Sequence, residues 1–307
     1  MQISTSLMFD RATDQLGAAQ DRLSTIQTQL STSKQVIKPS DAPDKSAAIT
    51  RMKSALARQQ SYQDTINTVM DKLKQQETAV SSANDVLIRI KELTLQAAND
   101  TYSAEDRRFI AIEVRELRDQ LASLANTQDV NGNYIFSGSR SSQQAFNTDG
   151  TLPVTYDGDQ TLNKVSVGDE RMVIDNRAAT QPFARTIRTT SDGEPESVGF
   201  FRVLDDLTEA LDTNEYTKIQ RAVGEVGDMQ FGMSDSLARI GASMNTLETQ
   251  RSLAEQNTLR IKQTLSSIED LDYTQAITQM NKDMLALQAA QSSFAKISQL
   301  SLFNYLR

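Results

Sequence analysis

The sequence predicts a mainly α-helical protein: a long helical bundle or coiled coil formed by the N- and C-terminal halves, with a small β-rich domain inserted between them. Three observations predict it. Apolar residues recur in steps of three and four at both ends of the chain. Two-residue alternation replaces that spacing only in the middle. Aromatic residues are sparse, 6% of 307, whereas Gln, Ser, Thr, Ala and Asn abound. That mix suits long helices with thin apolar seams better than a thick core.

The first helix is expected from about Thr5 to Val36. Its seam is Phe9, Ala12, Leu16, Ala19, Leu23, Ile26 and Leu30, the a/d stripe of a coiled coil, with polar residues between. This is too little apolar surface for a globular core and too much for a free solvated helix, so the helix needs a partner. The partner is either another terminal helix or the helix's own domain. Pro39 and Pro43 then end the helical pattern, because proline lacks the interior N–H and pushes its predecessor toward extended geometry. Pro39, Ser40, Asp41 and Pro43 form the expected hinge. Ser40 or Asp41 is the expected N-cap of the next helix and Pro43 belongs in its first turn; a plain helix–turn–helix linker fits the same residues.

A long helix follows from about Lys45 to Ala98, with Ile49, Met52, Leu56, Ile66, Val69, Leu73, Val80, Leu87, Ile90 and Leu93 on its seam. Ser103 with Glu105 and Asp106 reads as an N-cap and acidic first turn. The helix it starts stops near Asn126. Beyond it, Asn131-Gly132 supplies turn chemistry and Tyr134-Ile-Phe136 reads as a short strand. Val154 with Tyr156, Val165 with Val167, and Met172 with Ile174 are further alternations, with turns at Asp157-Gly158 and Gly168-Asp169. This insert is polar enough to be expected as a satellite that buries little.

After a linker at 191–195, helix returns with Phe200, Phe201, Leu204, Leu207 and Leu211. Another begins near Asn214 and runs toward Ile268, weakened at Gly224, Gly227, Gly232 and Gly241. A joint at 267–272 precedes the C-terminal seam of Tyr273, Ile277, Met280, Met284, Leu287, Ala290, Phe294 and Ile297, extended by Leu300, Leu302, Phe303 and Leu306. The order of elements is palindromic, so the two ends are expected to pair. The expected division is residues 1–40 with 270–307 as a terminal coiled coil, 41–139 with 196–269 as a helical-bundle body, and 140–195 as the insert.

Composition narrows the chemistry. The sequence has no Cys, His or Trp, which excludes disulfides, Cys/His metal sites and His-dependent nucleophilic catalysis. A net charge of −8 argues against a nucleic-acid surface. No stretch approaches the ~20 apolar residues of a membrane span. Residues 1–10 do not read as a cleaved signal, so the chain is expected to be cytoplasmic or exported without one. Glu113 with Glu116, and the Asp205-Asp206 pair, are the carboxylate groupings; with Arg107, Arg108, Arg115 and Arg118 available they read as solvated salt-bridge partners. Asp157-Gly-Asp159 lacks the later ligands of a calcium loop and reads as a turn. No catalytic residue, metal site or cofactor is expected.

Several segments resemble the flagellin superfamily, and within it the branch that joins hook to filament. Met1-Gln-Ile-Ser-Thr-Ser6 is similar to that branch's start. Leu30-Ser-Thr-Ser-Lys34 and Lys38-Pro-Ser-Asp-Ala-Pro43 resemble its Leu-Ser-Thr-Gly-Lys and Asn-Pro-Ser-Asp-Asp-Pro signature, with Ser33 in place of Gly and Ala42 in place of the second Asp. Leu117-Arg-Asp-Gln-Leu121, Leu124-Ala-Asn126, Asn131-Gly-Asn-Tyr-Ile-Phe-Ser-Gly138 and the final Leu306-Arg307 are similar to family segments. The resemblance implies a non-enzymatic flagellar subunit exported unfolded through the flagellar type III apparatus. Its implied partners are like subunits in a ring, a hook-associated protein on one side, flagellin on the other, and an export chaperone on the C-terminal helix at 273–307. The implied assembly interface is Phe9, Leu16, Leu23, Ile26 and Leu30 with Ile277, Met280, Met284, Leu287, Phe294, Ile297, Leu300 and Phe303. It implies an extracellular location after a transient cytoplasmic stage. A filament subunit, and a helical signalling module of the chemoreceptor type, are the alternatives; the β insert and the lack of a membrane span count against the second.

Overall fold

The computed structural model describes residues 2–148, 154–175, 181–189 and 194–305. They form α1 (Gln2–Thr32), α2 (Pro43–Ala97), α3 (Ala104–Ala125), β1 (Lys164–Ser166), β2 (Met172–Ile174), β3 (Thr186–Thr189), β4 (Pro195–Val198), α4 (Phe200–Asp212), α5 (Tyr216–Glu269) and α6 (Tyr273–Tyr305). The fold is mainly α, with helical N- and C-terminal halves around a small β region. The polypeptide divides into two compact units, Met1–Arg58 with Gln256–Arg307, and Gln59–Glu255. The four glycines in α5 do not interrupt it.

In the unit of Gln59–Glu255 the core is built from one face of each helix. Ile66, Leu73, Leu87 and Ile90 of α2, Val114 and Leu121 of α3, Leu204, Leu207 and Leu211 of α4, and Ile219 and Met233 of α5 are all fully buried. Each follows the three-and-four spacing, and each such side chain contributes about 1.5–3 kcal/mol relative to exposure. A capping box starts α3: the Ser103 hydroxyl accepts the Asp106 N–H at 3.2 Å, and the Asp106 carboxylate accepts the Ser103 N–H at 3.0 Å. Bonding to the Ser103 hydroxyl, then to its N–H, holds the Asp106 carboxyl below its ordinary value.

The β region consists of two antiparallel hairpins. Val165 faces Val173 in one, and Ile187 faces Ser197 in the other. Pro195, expected in a linker, is instead the first residue of β4, where a missing N–H is tolerated. Residues 191–193 lie outside those described. Around Tyr156 a single bridge to Phe146 replaces the expected strand.

Two further expectations are corrected here. Tyr134–Phe136 is not a strand but part of a run of turns. Gly138 has φ +70°, and a Cβ there would lie 2.2 Å from the Asp159 carboxylate, so only glycine fits. Asp159 accepts the Ser139 N–H at 2.7 Å, and Phe136 is buried. Nor does the insert bury little. Phe146 and Phe183 pack with Phe136, Phe200 and Phe201 at centroid separations of 4.9–6.1 Å, so the insert shares the helical core.

Candidate assembly surface

In the unit formed by the two chain ends, α1 and α6 run antiparallel. Three pairs fix the register: Ser33 with Tyr273, Arg22 with Asp283 at 3.9 Å, and Phe9 with Phe294 at 4.8 Å between rings. As one number rises the other falls, over about six turns of α6. Ala19 and Ile26 of α1 are buried, and Ala12, Leu16, Leu23 and Leu30 half-buried. This is the stripe expected from spacing. The edge at Phe9 remains 44% exposed.

On α6 the seam lies one residue away from part of the expected stripe. Met280, Leu287, Ala290 and Phe294 are half-buried, as spacing predicts, but Ala276 and Asp283 are buried between them. Ile277 and Met284 instead stay exposed at 45% and 42%, beside Leu285 at 66%. Ala276 admits close approach, and Asp283 has both Arg22 and the Gln279 amide, 3.2 Å away, to balance its charge. Ile277 and Met284 are therefore apolar residues that the α1–α6 pair does not use. The backbone of α6 continues to Tyr305, but the side chains of Ile297, Leu300 and Phe303 lie outside the described residues.

The residues expected as a hinge follow a second arrangement that sequence reading missed. Ser33 ends α1 with φ +60°, the left-handed region, at the position where the family signature has Gly. Its hydroxyl bonds the Tyr273 hydroxyl. Lys34 pairs with Asp270 in a short antiparallel bridge; the Gln35 N–H donates to the Glu269 carbonyl at 2.8 Å and the Leu271 N–H to the Ser33 carbonyl at 3.1 Å. Glu269 is buried, and its carboxylate accepts from Lys34 Nζ and Lys53 Nζ, each at 2.8 Å. Burial tends to raise the carboxyl's pKa, but the two ammonium groups outweigh it and hold it below its ordinary value.

Pro39 and Ser40 are exposed, and Pro43 is the first residue of α2. Neither Ser40 nor Asp41 caps α2. The Asp41 carboxylate faces backward and accepts the Lys38 N–H at 2.7 Å and the Ile37 N–H at 3.2 Å; Ala42 supplies the first helical carbonyl, to Ser46. The two unpaired amides upstream draw the carboxylate away from the helix start.

Of the carboxylates singled out from the sequence, Glu113, Asp205 and Asp206 pair with arginine, Glu113 and Asp206 with arginines other than those expected. Glu113 meets Arg89 at 2.8 Å, Asp205 meets Arg118 at 3.0 Å, and Arg115 meets Asp212 at 2.8 Å. Arg188 of β3 joins Asp206 at 2.6 Å to the buried Glu225 at 2.7 Å. Among the described residues, no group of three or more acidic side chains could hold a metal ion, and no helix is long and apolar enough to cross a membrane.

A helical pair made from the two chain ends, with a small β region in the middle of the chain, is the arrangement that the flagellin resemblance implies. Residues 3–141 match the bacterial flagellin N-terminal helical region and residues 223–306 the bacterial flagellin C-terminal helical region. The chain belongs to the flagellin superfamily, whose members are structural parts of the flagellum and not enzymes. Along its whole length it is similar to flagellar hook-associated protein 3 of Escherichia coli, 27% identical over 99% of both chains. Flagellin of Listeria monocytogenes is 23% identical over 75% of this chain and 72% of that one. The crystal structure of flagellar hook associated protein-3 from Legionella pneumophila shares the fold, with a TM-score of 0.64, 18% identity, and coverage of 72% of this chain and 98% of that one.

Proposed function

We propose that this protein is a subunit of the junction between the flagellar hook and filament, exported by the flagellar type III apparatus. One observation carries the reading: similarity to hook-associated protein 3 runs from end to end, whereas similarity to a filament flagellin covers three quarters of the chain. Membership of the flagellin superfamily replaces the alternative of a chemoreceptor-like signalling module.

In this reading residues 1–40 and 270–307 assemble, 41–139 and 196–269 form the body, and 140–195 faces outward. Phe9, Leu16, Leu23, Ile26 and Leu30 with Met280, Leu287 and Phe294 hold the pair of ends. Ile277 and Met284 meet neighbouring subunits, and Ile297, Leu300 and Phe303 extend that surface. The apolar side chains of Phe9, Ile277 and Met284, each a little under half exposed, support it, because a neighbour that covers the exposed part adds about 1 kcal/mol apiece. Pro39, Ser40, Asp41 and Pro43 form the hinge between assembling ends and body. The neighbours are like subunits in a ring, another hook-associated protein on the hook side and flagellin on the filament side. A chaperone holds the C-terminal helix before export from the cytoplasm to the cell exterior.

Electron microscopy of flagella from a deletion strain is the test. Intact hooks without filaments are expected, restored by the wild-type gene but not by Leu23→Asp or Phe294→Asp, while the purified variants keep the core of Gln59–Glu255 folded. Normal filaments in the deletion strain, or normal swimming with both variants, would overturn the assignment.

A further inference from the structure

Asn131-Gly132 is the only Asn-Gly pair in the sequence. It lies on an exposed turn beside Val130, which is 90% exposed. In such a pair the glycine has no Cβ to shield its backbone nitrogen. That nitrogen, once it has lost its proton to water or hydroxide, attacks the Asn side-chain carbonyl carbon. A five-membered succinimide forms and ammonia leaves; water then opens the ring to aspartate or isoaspartate. An amide and water become an acid and ammonia, with no redox partner.

Here the nucleophile is engaged. The Gly132 N–H donates to the Asp129 carbonyl at 3.0 Å, and Gly132 sits at φ +80°. The Asp129 carboxylate then fixes the rest of the turn: its Oδ1 accepts the Asn131 N–H at 2.8 Å and the Asn133 N–H at 2.9 Å, and its Oδ2 accepts Asn133 Nδ2 at 3.3 Å. The Asp129 N–H donates to the Asn133 carbonyl at 2.8 Å, closing the loop at both ends. Bonding, chiefly from the Asn133 N–H, holds the Asp129 carboxyl below its ordinary value, so it stays charged wherever the amide is labile.

We propose that Asn131 is a site of spontaneous deamidation whose rate is set by the Asp129 clamp, slow while the clamp holds the Gly132 N–H and fast once it opens. Full-length protein kept in mildly alkaline buffer, followed by peptide mapping with mass spectrometry, reads the conversion at position 131. Deamidation in the folded wild type is expected to be about fivefold slower than in the same chain in denaturant, the factor one net hydrogen bond supplies. Asp129→Ala should close most of that gap with helicity unchanged, and Asp129→Asn, which keeps an acceptor, should fall between. Equal rates in folded and unfolded wild type, or an Asp129→Ala rate no faster than wild type, overturns the proposal. If Asp129→Ala does not fold, hydrogen exchange of the wild-type Gly132 amide decides: slow exchange relative to its own unfolded rate is expected, and unprotected exchange overturns it.

Discussion

Replacing Glu269 by alanine isolates the joint between the chain ends. The carboxylate is buried and receives two ammonium groups at 2.8 Å, from Lys34 and Lys53, whose side chains are themselves 45% and 50% exposed. A hydrogen bond to a charged group contributes about 1.5–3 kcal/mol when shielded, and an exposed ion pair only about 0.2–1. Half-exposed lysines fall between, at about 1 kcal/mol each, and both can return to water when the carboxylate goes. Glu269→Ala should therefore destabilise the unit of the chain ends by about 2 kcal/mol, with little effect on the core around Leu207. Native-state hydrogen exchange across residues 26–36 and 266–276, compared with 200–212, measures both. The carboxyl's folded-state pKa lies below its ordinary 4.5, so its contribution is complete above that value and is lost as pH falls through the lower, folded-state value. The gap between wild type and variant should be constant near neutrality and shrink on acidification below 4.5. Unchanged protection at the joint, equal losses in both regions, or a gap that widens in acid would refute the reasoning.

Position 33 tests the backbone of the same joint. A left-handed L-residue costs about 1–2 kcal/mol, which glycine avoids but offsets by its freedom when unfolded. Ser33→Gly is thus expected to stay within about 1 kcal/mol of wild type, whereas Ser33→Val, branched and without the Tyr273 bond, should be at least about 1 kcal/mol worse than Ser33→Gly by urea denaturation. In the other unit, Phe201→Ala removes a 1%-exposed ring that packs 4.9 Å from Phe146, and should cost about 3–5 kcal/mol in calorimetric or denaturant unfolding.

The sequence displays α1 almost completely, because its large apolar residues and its buried positions coincide. On α6 they separate by one residue. Spacing alone ranks Ile277 above Ala276 and Met284 above Asp283, but packing against α1 takes the small side chain and the carboxylate that Arg22 can balance. The candidate surface was therefore legible at Met280, Leu287 and Phe294 and displaced beside them. Tyr134–Phe136 alternates like a strand, yet Asp129 and Gly138 impose turns, and local hydrogen bonds override a three-residue pattern. Phe146 and Phe183 are lone aromatics in polar text, so no periodicity marks them as core. Glu269 stands in a polar stretch, and only a lysine from α2, 216 positions away, reveals its burial.

The placement of the chain ends in one unit also orders the making and losing of structure. Everything from Gln59 to Glu255 lies between the two segments that form that unit. Bringing the ends together around an unstructured loop of this length costs about 5 kcal/mol in chain entropy, beyond a constant, by the logarithmic law for loop closure. A thin seam with half-buried residues has little surplus to meet that. Once Gln59–Glu255 has folded, the loop is already short-circuited and the cost largely disappears. Damage therefore spreads in one direction: weakening the inner core loosens the ends, while melting the ends leaves the core intact. During synthesis the inner unit can be complete before α6 exists, and the terminal pair must wait for the last helix.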